Sequence, residues 1–419
     1  MEFDALSQEL VDLIVDHVVD SATLKSCALA AKKLCPAAQR NLFSSLQIMA
    51  PVKPPMASLG SFPTIAQLDS MLSSAAHLPP YVRCLTLCGD PERQVVTWIQ
   101  SAAPAALIAR FDHLTTLVID CEVFQMHPTG NAWADLVHLA TKTALASRLA
   151  LPTMRTLALR YLPLAELVEL LQLIPEPWER LCIQRLFVKI PGLPIHGRLD
   201  SPQLDMPANL QGRKLTLDSL VLDGPLAHFP PWTSDLIDVS VLRQLHIVVR
   251  LVADETFAQS VFMERATALE HLHIVLNQNL LRFDLGRPDL LPPLATSLGI
   301  GGLPKLRTLR LQFALSTELR LLHQALEWVR SVLSCITPPA PCAAHAPRPP
   351  RHYGSARTGA ARARGTRVSR LPRQVPLAPT LTVRLHLAPG APEAFVLARS
   401  ALLDFFKDLP RDVVVVKAA

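Results

Sequence analysis

One apolar phrase recurs eight times along the chain, and it constrains the fold more than any other feature. Its form is Leu-x-x-Leu-x-Leu, with Val, Ile or Met standing in, and its copies start at Val82, Leu114, Met154, Ile183, Leu217, Leu242, Leu269 and Leu306. Strict alternation at the end of each copy predicts a short strand whose last two apolar residues point to one face while the residue between them points to the other. The starts lie 32, 40, 29, 34, 25, 27 and 37 residues apart. Such gaps leave room for the crossovers of about a dozen residues or more that parallel pairing requires. One crossover, Ala165 to Ile174, spaces Leu167, Leu170, Leu171 and Ile174 along one face of a helix. The expectation is an α/β array of parallel strands with helical crossovers, each unit burying its apolar face against the next.

Composition agrees with this and narrows the setting. Apolar residues make up 50% of the chain but aromatic ones only 5%, so the core must come from Leu, Val, Ile and Ala. The eight cysteines are scattered and contain no C-x-x-C pair, which argues for reduced thiols rather than a disulfide framework. Cys84 and Cys88 read as packed thiols at a strand's end and just beyond it. The opening Met1 to Asp4 is acidic where a secretion signal is basic, and no asparagine begins an N-x-Ser/Thr sequon. The longest notable uncharged apolar run, Gln94 to Ala109, contains Pro104 and falls short of the roughly 20 residues that span a bilayer. An intracellular protein, cytoplasmic and/or nuclear, with no membrane partner is expected.

The net charge of +6 is a local property. Between Pro338 and Pro379 there are eight arginines, nine prolines and no acidic residue, so the remainder of the chain carries −2. A folded part of that charge does not point to a nucleic-acid partner. Residues 338–378 have too few large apolar side chains to order themselves and are expected to form no part of the fold. Spacing agrees, because the next phrase would start near residue 378, 72 residues after Leu306 and about twice the ordinary gap. A basic arm, a linker and retained non-coding sequence all fit this composition.

Residues 1–48 separate from the rest by helical spacing. Leu6, Leu10, Leu13, Ile14, His17 and Val18 fall on one face of a helix that Ser7 can cap. Ser21 is the expected cap of a second helix carrying Leu24, Cys27, Ala28 and Ala31, and Pro36 suits the first turn of a third that ends near Leu42 and Phe43. Three such helices make a thin core with an apolar face left to cover.

The order of these elements resembles an F-box of the fungal F-box-like family: Leu6 before a turn residue, Glu9, an apolar helix to Ile14, Thr23-Leu24, Cys27 at mid-helix, Leu34, and a closing Leu42-Phe43. Ser7 stands where that family usually has Pro, and Leu34 where it usually has Trp. The eight phrases resemble the degenerate leucine-rich-repeat region that commonly follows an F-box, looser than the 20 to 29 residues of regular repeats. The organisation implied is an F-box-like motif over 1–48, a linker or first repeat entry over 49–80, a leucine-rich-repeat-like array over 81–337, the Pro/Arg-rich insertion over 338–378, and a terminal repeat or cap over 379–419. The resemblance implies a substrate-recognition subunit of a cullin-RING ubiquitin ligase. Leu6, Glu9, Leu10, Ile14, Leu24, Cys27 and Leu34 would dock on a Skp-family adaptor, and the repeats would hold an unidentified protein target. The alternative is a repeat scaffold whose degenerate F-box no longer engages the adaptor.

Target contact is expected on the residues that alternate away from the core. They form a ribbon of Arg185, Phe187, Asp218, Val221, Arg243, Gln244, His246, Glu270, His271, His273, Arg307, Thr308 and Arg310. Within it Arg185, Phe187, Arg243, His246, His271, His273, Arg307 and Arg310 are the principal candidates, since mixed aromatic, basic and imidazole chemistry suits a protein epitope. A zinc site built from His246, His271 and His273 is conceivable, but no carboxylate or thiol is placed to complete it. Gly299-Ile300-Gly301-Gly302 lacks the third glycine of a dinucleotide loop. No catalytic motif and no cofactor signature is present, and the chain reads as a binding protein.

Overall fold

A computed structural model describes residues 6–49, 65–88, 102–120, 137–160, 164–174, 181–189, 212–224, 233–249, 258–276, 300, 303–315, 380–387, 400 and 414–418. Residues 338–378 lie outside this set.

All eight phrases form strands. Together with one strand before them and two after, they make an eleven-stranded sheet whose order is the chain order: β1 Ser45–Met49, β2 Cys84–Cys88, β3 Thr116–Asp120, β4 Thr156–Arg160, β5 Arg185–Lys189, β6 Ser219–Asp223, β7 Gln244–Val249, β8 His271–Leu276, β9 Thr308–Leu315, β10 Thr380–Leu387 and β11 Val414–Ala418. Every neighbouring pair is parallel. β1 is not part of the eight phrases, and it starts the sheet inside the segment assigned by sequence to the helical unit. β10 pairs directly with β9, Thr380 opposite Thr308 and Leu381 opposite Leu309.

Register follows from the apolar positions. Leu85, Leu117, Leu157, Leu186, Leu220, Leu245, Leu272 and Leu309 occupy one row, each opposite the next, and none is more than 2% exposed. Slipping one residue would turn this row to solvent, so burial alone fixes the pairing. The first apolar residue of the phrases also goes inward: Val82, Leu114, Met154, Leu217, Leu242 and Leu269 are at most 1% exposed. A repeated backbone device sets the start of the strands. The Ser44 carbonyl accepts from the N–H groups of both Arg83 and Cys84, and the Arg83 carbonyl accepts from both Thr115 and Thr116. The same doubled acceptance continues at Thr115, Arg155, Gln184, Asp218, Arg243 and Glu270, so the rungs stay uniform while the segments between them differ in length.

Helices cover the inner face: α4 Ile65–Ser74, α5 Ala103–Ile108, α6 Leu139–Leu149 and α7 Leu164–Gln172 each lie between consecutive strands. Leu68 and Leu72, Leu107 and Ile108, Leu145 and Leu149, and Leu167, Leu170 and Leu171 join the strand leucines in one continuous core. Lys142 on α6, 4% exposed, donates to the Glu169 carboxylate on α7 at 2.6 Å and ties two of these helices together.

The N-terminal helices, α1 Gln8–Asp16, α2 Ser21–Ala30 and α3 Cys35–Leu42, have a separate core of Val11, Val15, Leu24, Leu34, Ala37 and Ala38. Ser7 caps α1, its Oγ accepting from the Leu10 N–H. α2 is capped by Asp20 in place of Ser21: its Oδ2 accepts from both the Thr23 N–H and the Thr23 hydroxyl at 2.7 Å, and an ionised carboxylate is the stronger acceptor. Phe43 then packs against the large core, and His77 meets the Gln39 amide at 3.1 Å. No helix among the described residues is long and apolar enough to cross a membrane.

Candidate functional site

Two surfaces stand out. The first is on α1. The sequence placed Leu6, Leu10, Leu13, Ile14, His17 and Val18 on one face, but α2 and α3 close over the side that carries Val11 and Val15, one residue further along. A step of one residue turns a helix by about 100 degrees, so the expected stripe is split. Leu6 and Val18 pack at the edge of the small core, while Leu10, Leu13 and Ile14 remain 50%, 56% and 50% exposed. Glu9 lies beside them, and its own backbone N–H, with the Ser7 hydroxyl, holds its carboxyl below the usual range.

The other expected docking residues divide. Cys27 is partly buried against the small core. Leu24 and Leu34 are core residues, 5% and 8% exposed: they are the inward residues of α2 and of the turn before α3. α1 is held to α3 by Arg40, which bridges Asp12 at 3.4 Å and Asp16 at 3.0 Å, and by the Asn41 amide, which donates to the Val15 carbonyl.

The second surface is the outer face of the sheet. The ribbon residues alternate outward as expected, because the leucines between them are held in the core. Ala158, Phe187, Val221, His246, His273 and Arg310 form one continuous row across β4 to β9, each opposite the next. Within it the imidazoles of His246 and His273 stack with centroids 4.1 Å apart and planes 36° apart. The Arg160 guanidinium, absent from the sequence-derived ribbon, lies 6.0 Å from the centroid of the Phe187 ring. Its signal was present as the next outward position after Leu159. Arg185, Gln244, His271 and Thr308 make the neighbouring row.

Charge on this face is partly neutralised by position. Arg243 meets Asp218 at 3.6 Å and Arg307 meets Glu270 at 3.5 Å, in each case the residue one rung earlier, and Arg160 meets Asp120 at 3.5 Å. Among the described residues from β3 to β9 the outward positions carry Arg155, Arg160, Arg185, Lys189, Arg243, Arg307 and Arg310 together with Asp120, Asp218, Asp223 and Glu270.

His271 sits one row away from the stacked pair, and among the described residues no three His, Cys, Asp or Glu side chains gather to hold a metal ion. Cys84 and Cys88 both lie within β2, at its two ends. Burial pushes the Cys88 thiol up in pKa, so it is not an activated nucleophile. In comparisons with known proteins, the chain matches no family model and no curated protein.

Proposed function

We propose that the chain is the substrate-recognition subunit of a cullin-RING ubiquitin ligase, with the N-terminal helices as an F-box-like motif and the parallel array as irregular leucine-rich repeats. α1 would dock on a Skp-family adaptor, and the outer face of the sheet would hold the protein to be modified. The observation that carries this reading is the row of Leu10, Leu13 and Ile14, half exposed on a helix whose own core is already filled by Val11 and Val15. An exposed apolar stripe of this kind marks a partner surface. Ligase chemistry would belong to other subunits.

The test is co-purification with the adaptor from cells, with and without Leu10→Asp and Ile14→Asp together. Loss of adaptor with the array still folded supports the reading, and normal recovery of adaptor by the double variant overturns it. A second reading, a repeat scaffold with a degenerate F-box, is favoured by the burial of Leu24 and Leu34, which takes two of the seven docking residues out of reach. Under that reading the wild-type chain recovers no adaptor either.

A further inference from the structure

We propose that His246, stacked on His273 in the outer row of the array, is an acid-sensitive latch: protonating its ring opens the pairing of β7 with β8 while β2, β3 and β4 stay paired. This goes beyond the reading of the outer face as the target surface and does not rest on it.

Register brings the rings together. Val221, His246 and His273 stand opposite one another on β6, β7 and β8, and Arg310 follows on β9. The two imidazoles are in contact, their centroids 4.1 Å apart. His246 Nε2 is enclosed away from solvent and has no hydrogen-bond partner among the described residues. A neutral imidazole can carry its proton on Nδ1 and leave Nε2 bare, whereas the imidazolium carries an N–H on both nitrogens. Protonation therefore puts a charged donor where it meets neither water nor an acceptor, which costs more than enclosing the neutral ring.

Parting β7 from β8 brings the ring to water and removes that cost. The break can be local, because each unit of a repeat array packs only on its neighbours and opens without the rest. At neutral pH the inward leucines and isoleucines of the two strands, Leu245, Ile247, Leu272 and Ile274, hold the pairing closed, and none is more than 2% exposed. β2, β3 and β4 have the same inward pattern and contain no histidine, so they serve as internal controls.

The direction of the pH effect follows from the surroundings of the ring. Among the described residues, its titratable and charged neighbours are Asp223 at the end of β6, His273 and, one row away, His271 on β8, and Arg310 on β9; its own strand offers Gln244 and Val248. Burial lowers the His246 pKa, Asp223 opposes that, and Arg310 adds to it. A folded-state value below the opened-state value, near 6.5, means that the opened form takes up the proton first. The closed pairing is at full stability above about pH 6.5 and loses it as pH falls through that value toward the lowered one. For a ring that is neutral when closed and ordinary when open, the opening equilibrium rises about fourfold at pH 6 and about elevenfold at pH 5.5.

The experiment is amide hydrogen exchange of the full chain, followed by mass spectrometry at about pH 7.5, 6 and 5.5 and corrected for the intrinsic pH dependence of exchange. Opening of Gln244–Val249 and His271–Leu276 should rise by the factors above, while Cys84–Cys88, Thr116–Asp120 and Thr156–Arg160 hold steady. His246→Phe keeps a ring on His273 but takes up no proton, and it should remove the rise. His246→Asn, a smaller neutral side chain, is the second variant in case the first does not fold, and a thermal midpoint at neutral pH shows which of them does. His271→Phe, at an exposed position one row away, should leave the rise intact. An equal rise in β2, β3 and β4, or a rise that survives replacement of His246, overturns the proposal. So does the absence of a rise in β7 and β8 of the unaltered chain, a result that needs no variant.

Discussion

Neighbouring residues on α1 should respond in opposite ways to the same kind of change. Leu10 and Ile14 are each 50% exposed, whereas Val11 and Val15 are 0% and 1% exposed. Full burial of a Leu or Ile side chain contributes roughly 1.5–3 kcal/mol, so the half still uncovered on each is worth about 1 kcal/mol to an adaptor that covers it. Leu10→Ala with Ile14→Ala should therefore weaken adaptor binding by about 2 kcal/mol, about thirtyfold in Kd, while leaving the helical unit folded. Val11→Ala with Val15→Ala removes two methyl groups at each site from a closed core and leaves cavities, at about 2 kcal/mol per site. A core of six residues has little stability to spare, so this second pair should open the unit. Binding is read by titration calorimetry, and folding by amide hydrogen exchange across Gln8–Leu42. The first pair should leave exchange slow and lose affinity. If it speeds exchange as much as the second, the stripe is structural, and the partner-surface argument fails.

Leu117→Ala, at a wholly buried position second in the leucine row, should cost about 3 kcal/mol and lower the denaturant midpoint of the array; a change within about 0.5 kcal/mol would contradict the register. Arg40 holds the Asp16 carboxyl below the usual range. A depressed carboxylate contributes stability above its unfolded value, near pH 4, and loses it as pH falls through the folded value, so helical signal should drop in acid, and Arg40→Gln should flatten that step. Deleting residues 340–376 should leave the thermal midpoint unchanged, since β10 pairs with β9 on the same register as every other rung; a large drop would show that the removed residues contribute to the fold.

The strands were legible because their cause is local. Alternation within six residues names the inward pair, and every phrase from Val82 to Leu306 became a rung with its leucine in the core. Pro36 likewise marked the start of α3 by its fixed backbone, and Ser7 the cap of α1. β1 escaped detection because its phrase, Phe43-x-x-Leu46-x-Ile48, opens on a residue that helical spacing assigned to the end of α3; in the fold Phe43 packs against the large core and Leu46 pairs with Leu85.

What the sequence by itself determined is the period and chemistry of each rung: parallel α/β repetition, leucines inward, basic and imidazole residues outward. Only the tertiary structure decided which side of α1 became interior, because Leu10 and Val11 are equally apolar and the choice belongs to α2 and α3 closing over one of them. It also decided the meaning of the outer face. His246 and His273 are 27 residues apart in the chain, yet their rings stack because consecutive strands stand in register, and Arg243 and Arg307 meet carboxylates one rung away. Those pairings depend on distances between segments, which a one-dimensional pattern does not contain.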